Sequence, residues 1–247
     1  MNSNYVNRLV GHRGLMATHP ENSLTGFKAA IEAGARFIEC DLQLTKDKQP
    51  VVFHDATLVR TTGIDGTIFD LTLAQAQATS VHYPERFGER YAPEPMASLP
   101  QFLVFLAQYP DVKAMIEFKQ QSIDQFSLAE FVEVVCQQAG EFASQVIIIS
   151  FNADVVAAAQ KAGFSTGWVI DTMDEASQGL ANVLLPQYLI TDVRKVDVES
   201  PQLWAAPQGY RWCWMLYDVM EPQVAKDLLD KGVDLIETGN IKIIQRF

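Results

Sequence analysis

The chain is poor in cysteine, in positive charge and in long apolar runs, and each shortage removes a class of protein. Its 247 residues include three cysteines, Cys40, Cys136 and Cys213, widely spaced and without a CxxC pair. That pattern supports neither a disulfide framework nor a zinc–thiolate centre. Lysine and arginine number 19 against 30 aspartates and glutamates, a net charge of −11 that repels nucleic acid and acidic lipid surfaces. No apolar stretch approaches the ~20 residues that cross a bilayer. The first residues, MNSNYVNRLVGHRG, carry no basic segment ahead of an apolar one, so no secretory signal is expected. The expectation is a protein of the reducing cytoplasm, with no nucleic-acid partner and no membrane insertion. Nothing in the sequence speaks to self-association.

What remains is an ordinary globular mixture, 48% apolar and 20% charged, with enough apolar matter for a sizeable core. Short β-rich runs alternate with helical patterns. The strand candidates are 8–12, 36–42, 51–54, 112–118, 145–150, 165–170, 188–192, 211–216 and 233–237. Between them lie helical stretches: one opened by a capping-type Asn22 and ended at Gly34, one with Ser98 as N-cap and the FLVFL stripe as core, one capped by Asn152 before Gly163, and one closing at Gly232. This alternation implies parallel β-structure covered by helices, as a closed (β/α)8 barrel or an open doubly wound sheet. Nine candidates are one too many for the barrel. Only residues 43–50 join the second to the third, shorter than a parallel crossover needs, so one of that pair is expected outside the regular barrel. Residues 56–97 break the rhythm and read as an insertion beside the mouth, within a single domain spanning 1–247.

Ionisable residues gather where these strands end. His12 follows the first apolar run, with Arg13 and Gly14 behind it. Glu39 and Asp41, two apart on one strand, share a face and turn Cys40 to the other. His54 ends the third run, and Glu117 and Lys119 end the fourth. Ligands in parallel α/β folds bind outside the carboxyl ends of strands, so these groups are placed to converge. Two carboxylates on one partly dry face repel unless a cation lies between them. A third from Glu117 makes an all-oxygen set suited to a hard divalent ion, Mg²⁺ or Ca²⁺. The competing reading pairs Glu39 and Asp41 with Arg36, Lys46 or Lys48. His12 and His54 have the side chain best suited to moving protons near neutrality, or are hydrogen-bonded structural histidines. Asp55 neighbours His54, but adjacent strand residues point apart, so it is not expected to orient that ring. His19 and His82 fall in loop-like sequence and are expected at the surface.

GHRG at 11–14, PENS at 20–23, IECD at 38–41, VVFHD at 51–55, RTTGIDG at 60–66 and IEFK at 116–119 occur in that order, and ISF at 149–151, Trp214 and GVDLIE at 232–237 extend the series. The ordered set resembles the glycerophosphodiester phosphodiesterase family, on the phospholipase-C-like (β/α)8 TIM-type barrel. The resemblance implies a small-molecule glycerophosphodiester as substrate and a divalent metal held by Glu39, Asp41 and Glu117. It implies His12 and His54 as the acid/base pair, with Arg13 and Lys119 contacting substrate phosphate. Trp214 is a candidate wall for the glycerol, or core; Phe151 carries the same two readings, and Glu21 and Asn22 are accessory candidates. The chain departs from the family pattern twice. Trp214, Met215, Leu216 and Tyr217 stand where Trp-Thr-Val-Asn is usual, and Thr238-Gly239 stands where Thr-Asp is usual. Hydrolysis to glycerol 3-phosphate and an alcohol is the leading expectation, with His12 accepting and His54 donating the proton. A lyase ending at a cyclic phosphate and a non-catalytic binding module are the alternatives.

Overall fold

The computed structural model describes residues 3–200 and 205–244. Among the described residues there are nine strands: β1 (Leu9–Gly11), β2 (Phe37–Leu44), β3 (Pro50–Val52), β4 (Lys113–Phe118), β5 (Val146–Ser150), β6 (Ser165–Val169), β7 (Tyr188–Asp192), β8 (Cys213–Tyr217) and β9 (Leu235–Thr238). Eight of them pair in parallel, and β1 closes the ring by pairing with both β2 and β9. The ninth, β3, pairs antiparallel with β2 through Leu42↔Val52 and Leu44↔Pro50. The short connection between these two strands therefore becomes a hairpin, with Lys48 turning at φ 58°, and β3 lies outside the barrel.

Each barrel strand sorts its side chains by the two-residue pleat. On β4, Ala114, Ile116 and Phe118 face outward into the barrel–helix layer while Met115 joins Val10, Ile147, Ile149, Ile190 and Met215 inside. The outer layer is covered by helices such as Leu24–Glu32, Leu99–Leu106 and Ala153–Lys161. Ser98 opens the second with a capping box to Gln101, and Asn152 opens the third by accepting from Asp154 N. Phe27 and Phe102 of the first two helices meet edge to face at 5.1 Å, both wholly buried. Truncating either to alanine would cost about 3–5 kcal/mol.

Ser23, not Asn22, caps the helix Leu24–Glu32, accepting from Gly26 N. Asn22 sits in the left-handed region at φ 53° and is held elsewhere. Gly14, at φ 91°, lies against the same helix start; a Cβ there would stand 2.6 Å from the Gly26 carbonyl carbon, so no larger residue fits.

Between β3 and the helix Leu99–Leu106 the chain folds into short helices around a small apolar cluster of Leu58, Ile68, Ala76, Val81 and Met96, which packs on Val51 and Phe53. This segment carries Asp55 and Arg60 to the carboxyl end of the barrel. Among the described residues no helix is long and apolar enough to cross a membrane.

Candidate active site

The inward pleat of β2 drives Glu39 and Asp41 into the barrel mouth, 2% and 0% exposed. Glu117 on β4 stands beside Asp41 in register. One oxygen from each of these three carboxylates lies within 4.8 Å of the others. None pairs with Arg36, Lys46 or Lys48. The neighbouring cations are Arg13, with Nε 3.1 Å from Asp41 Oδ2, and Lys119, with Nζ 2.9 Å from Glu117 Oε1 and 3.3 Å from Asp41 Oδ1. Arg13 takes up φ 49°, which lets its backbone N–H donate to Glu39 Oε2 at 3.1 Å. Asn22 clamps Asp41 from both sides: its amide donates to Oδ2 at 2.8 Å and its carbonyl accepts from Asp41 N at 3.1 Å.

A second chain of charges runs along the rim. Glu21 accepts from Arg13 at 3.1 Å and from Arg60 at 2.6 and 2.8 Å, and Arg60 also grips Asp55 at 2.6 Å. Asp55 in turn lies 2.6 Å from His54 Nδ1. This corrects the expectation drawn from strand alternation. The strand stops at Val52, so His54 and Asp55 lie in irregular chain and their side chains turn toward each other. Burial would raise Asp55, but the His54 and Arg60 hydrogen bonds outweigh it and hold the carboxyl well below its usual range.

Electrostatics sort the remaining groups. Burial, reinforced by Arg13, lowers His12 to about 3, so the ring is neutral at physiological pH. Asp41 would be raised by burial, yet Arg13 and Lys119 keep it ionised. Burial raises Glu39 strongly, with Asp41 and Glu237 adding to the push. Burial also raises Glu117, against the opposing charge of Lys119. Glu237, which the sequence reading passed over, is pushed up to about 8 by burial against the opposing charge of Arg13, with Glu117 and Asp41 pushing the same way as burial. It lies one residue before the Thr238-Gly239 departure. An acid on an inward β9 position was the signal available.

The donor set fits a hard divalent cation. All of its donor atoms are oxygens, and Asp41 Oδ1 and Glu237 Oε1 accept no hydrogen bond although both side chains are buried. Four carboxylates, Glu39, Asp41, Glu117 and Glu237, face two cations, Arg13 and Lys119.

The cavity over these groups is about 220 Å³, lined on the charged side by His12, Arg13, His54 and Lys119 and on the other by Ile149, Val169, Ile190 and Met215. Phe151, 45% exposed, and Tyr217 stand at its mouth. Trp214 does not join them. It is 2% exposed and packs outward with Trp168, Leu189 and Trp212, because on β8 it is Met215 that points inward. His19 and His82 lie apart from the site, half-buried, His82 against Ser80 at 2.8 Å.

The mouth of a closed parallel barrel thus brings a carboxylate cluster, two histidines and two basic side chains into one cavity. The chain belongs to the glycerophosphoryl diester phosphodiesterase family, whose model matches residues 12–242. It is 35% identical over 144 residues to a glycerophosphodiester phosphodiesterase of Caldanaerobacter subterraneus subsp. tengcongensis, covering 58% of each chain. Over 83 residues it is 39% identical to a glycerophosphodiester phosphodiesterase of Bacillus altitudinis, covering 32% of this chain and 34% of that one. The matched segments thus span little more than half of these relatives, or less. In fold it is similar to a phosphodiesterase of Oleispira antarctica solved with its product sn-glycerol-3-phosphate, with a TM-score of 0.84 at 22% identity over 96% of this chain and 95% of that one.

Proposed function

We propose that the protein hydrolyses small glycerophosphodiesters to glycerol 3-phosphate and an alcohol, with His12 and His54 moving the protons. The observation that supports this most is the single cavity that both histidines share with Glu39, Glu117, Arg13 and Lys119. The divalent ion, Mg²⁺ or Ca²⁺, would be held by Glu39, Asp41 and Glu117 and would supply positive charge to the phosphate oxygens.

Arg13 and Lys119 neutralise the same oxygens from the protein side, inside a chain whose net charge of −11 gives no long-range attraction to an anion. His12, neutral, is in the state to take a proton from the attacking hydroxyl. His54 is oriented by Asp55 at Nδ1, leaving Nε2 to deliver a proton to the departing alkoxide. Asn22 holds Asp41 in place, and Glu21 and Arg60 tie Arg13 to the Asp55–His54 pair. A cytoplasmic setting and a segment at 56–97 inserted near the active-site mouth belong to the same reading.

The test is hydrolysis of glycerophosphocholine and glycerophosphoethanolamine with EDTA and with each metal added back. Release of glycerol 3-phosphate that EDTA stops and a divalent ion restores supports the reading. Activity indifferent to EDTA contradicts the metal assignment, and a persisting cyclic phosphate contradicts hydrolysis as the outcome.

A further inference from the structure

We infer that Glu237, on β9, is a fourth carboxylate ligand of the divalent ion. The inference rests on the metal-dependent reading of the site and extends it to a residue outside the Glu39–Asp41–Glu117 set.

Glu237 pairs in register with Val10, which places it on the inward face of β9 beside the turn that carries His12. Its carboxylate, that of Glu39 and a ring nitrogen of His12 each offer an atom within 4.8 Å of the others. Glu39 also belongs to the set with Asp41 and Glu117, so it links the two groups. Glu237 is only 4% exposed, and its Oε1 has no hydrogen-bond partner. A buried carboxylate kept for structure alone would be tied by donors, because leaving one without them costs several kcal/mol. The hydrogen bonds and salt bridges of Arg13 go to Glu39, Asp41 and Glu21, and those of Lys119 to Glu117 and Asp41. Glu237 is therefore the acid that the local cations leave over.

The experiment is calorimetric titration of the whole, metal-stripped protein with Ca²⁺ at pH 8, comparing wild type with Glu237→Gln. The expected result is one ion bound by wild type and an affinity at least about tenfold weaker in the variant. Equal affinities overturn the inference while leaving the three-ligand site intact. Absence of Ca²⁺ binding by wild type overturns both. A calcium-soaked crystal of wild type reads the same point without any substitution. An ion within about 2.3–2.6 Å of a Glu237 oxygen supports the inference, and one more than about 4 Å from both oxygens overturns it.

Discussion

Removing the metal should reverse the ordinary dependence of stability on pH, and the structure sets the size of the effect. In the metal-free fold Glu237 keeps its proton until about pH 8, whereas in the unfolded chain it loses it near its ordinary value of 4.5. A raised folded value contributes stability that is complete below the unfolded value and is lost as pH rises through the folded one. Between pH ~6.5 and 8 Glu237 holds a proton in the folded state that it has lost in the unfolded one, so unfolding free energy falls by up to about 1.4 kcal/mol per pH unit. Between pH 6.5 and 8, with partial titration at the upper end, the loss is on the order of 1–2 kcal/mol. For a chain of this length that is a fall in Tm of roughly 3–6 °C. Glu39, raised by burial, adds in the same direction. His12 works against it only below its unfolded value, because its folded value lies near 3, so this window isolates the carboxylates. The assay is differential scanning fluorimetry in EDTA and in saturating Ca²⁺ at several pH values. Tm should fall with pH in EDTA, hold level in Ca²⁺, and fall less in Glu237→Gln. A Tm in EDTA that is flat or rises from pH 6.5 to 8 would refute the electrostatic argument.

Other substitutions separate the roles of individual residues. Asp55→Asn should lower kcat for glycerophosphocholine by roughly 10²–10⁴ with little change in KM, since it removes the carboxylate that orients His54 rather than a substrate contact. Asn22→Ala strips two hydrogen bonds from Asp41 and leaves at φ 53° a residue without asparagine's tolerance of the left-handed region. It should cost about 2–4 kcal/mol in urea unfolding of the metal-free protein. Trp214→Phe should lower unfolding free energy by about 1–3 kcal/mol and leave KM unchanged, because the ring packs behind the barrel wall. A raised KM in that variant would place Trp214 back at the substrate.

Much of the architecture is legible in sequence because parallel strands punctuate themselves. Apolar runs end in His12, Asp41 or Lys119 where the chain meets the mouth, and the too-short span after Leu44 already foretells an irregular strand. The misreadings share one physical cause: periodicity says which residues share a face, but not where the strand stops or which face turns inward. Alternation carried through His54 turns Asp55 away, but the strand ends at Val52, so the rule does not apply. Trp214 and Met215 alternate as expected, and only barrel closure decides that Met215 is the inward one. Asn22 resembles a cap because Asn commonly caps helices, yet the left-handed backbone moves that role to Ser23 and sends the amide to Asp41. Glu237 is a lone acid at a strand end in the sequence and acquires meaning only when β9 closes against β1.

The measurement that bears most directly on the central claim is ³¹P NMR of glycerophosphocholine turnover by wild type and by the His12→Ala/His54→Ala double variant, both in saturating divalent metal. Wild type is expected to convert the diester resonance to that of glycerol 3-phosphate. The double variant, still folded by circular dichroism, is expected to lose at least about 10²–10⁴ in rate. Undiminished turnover by the double variant would contradict the account of these two histidines as the proton-transfer pair.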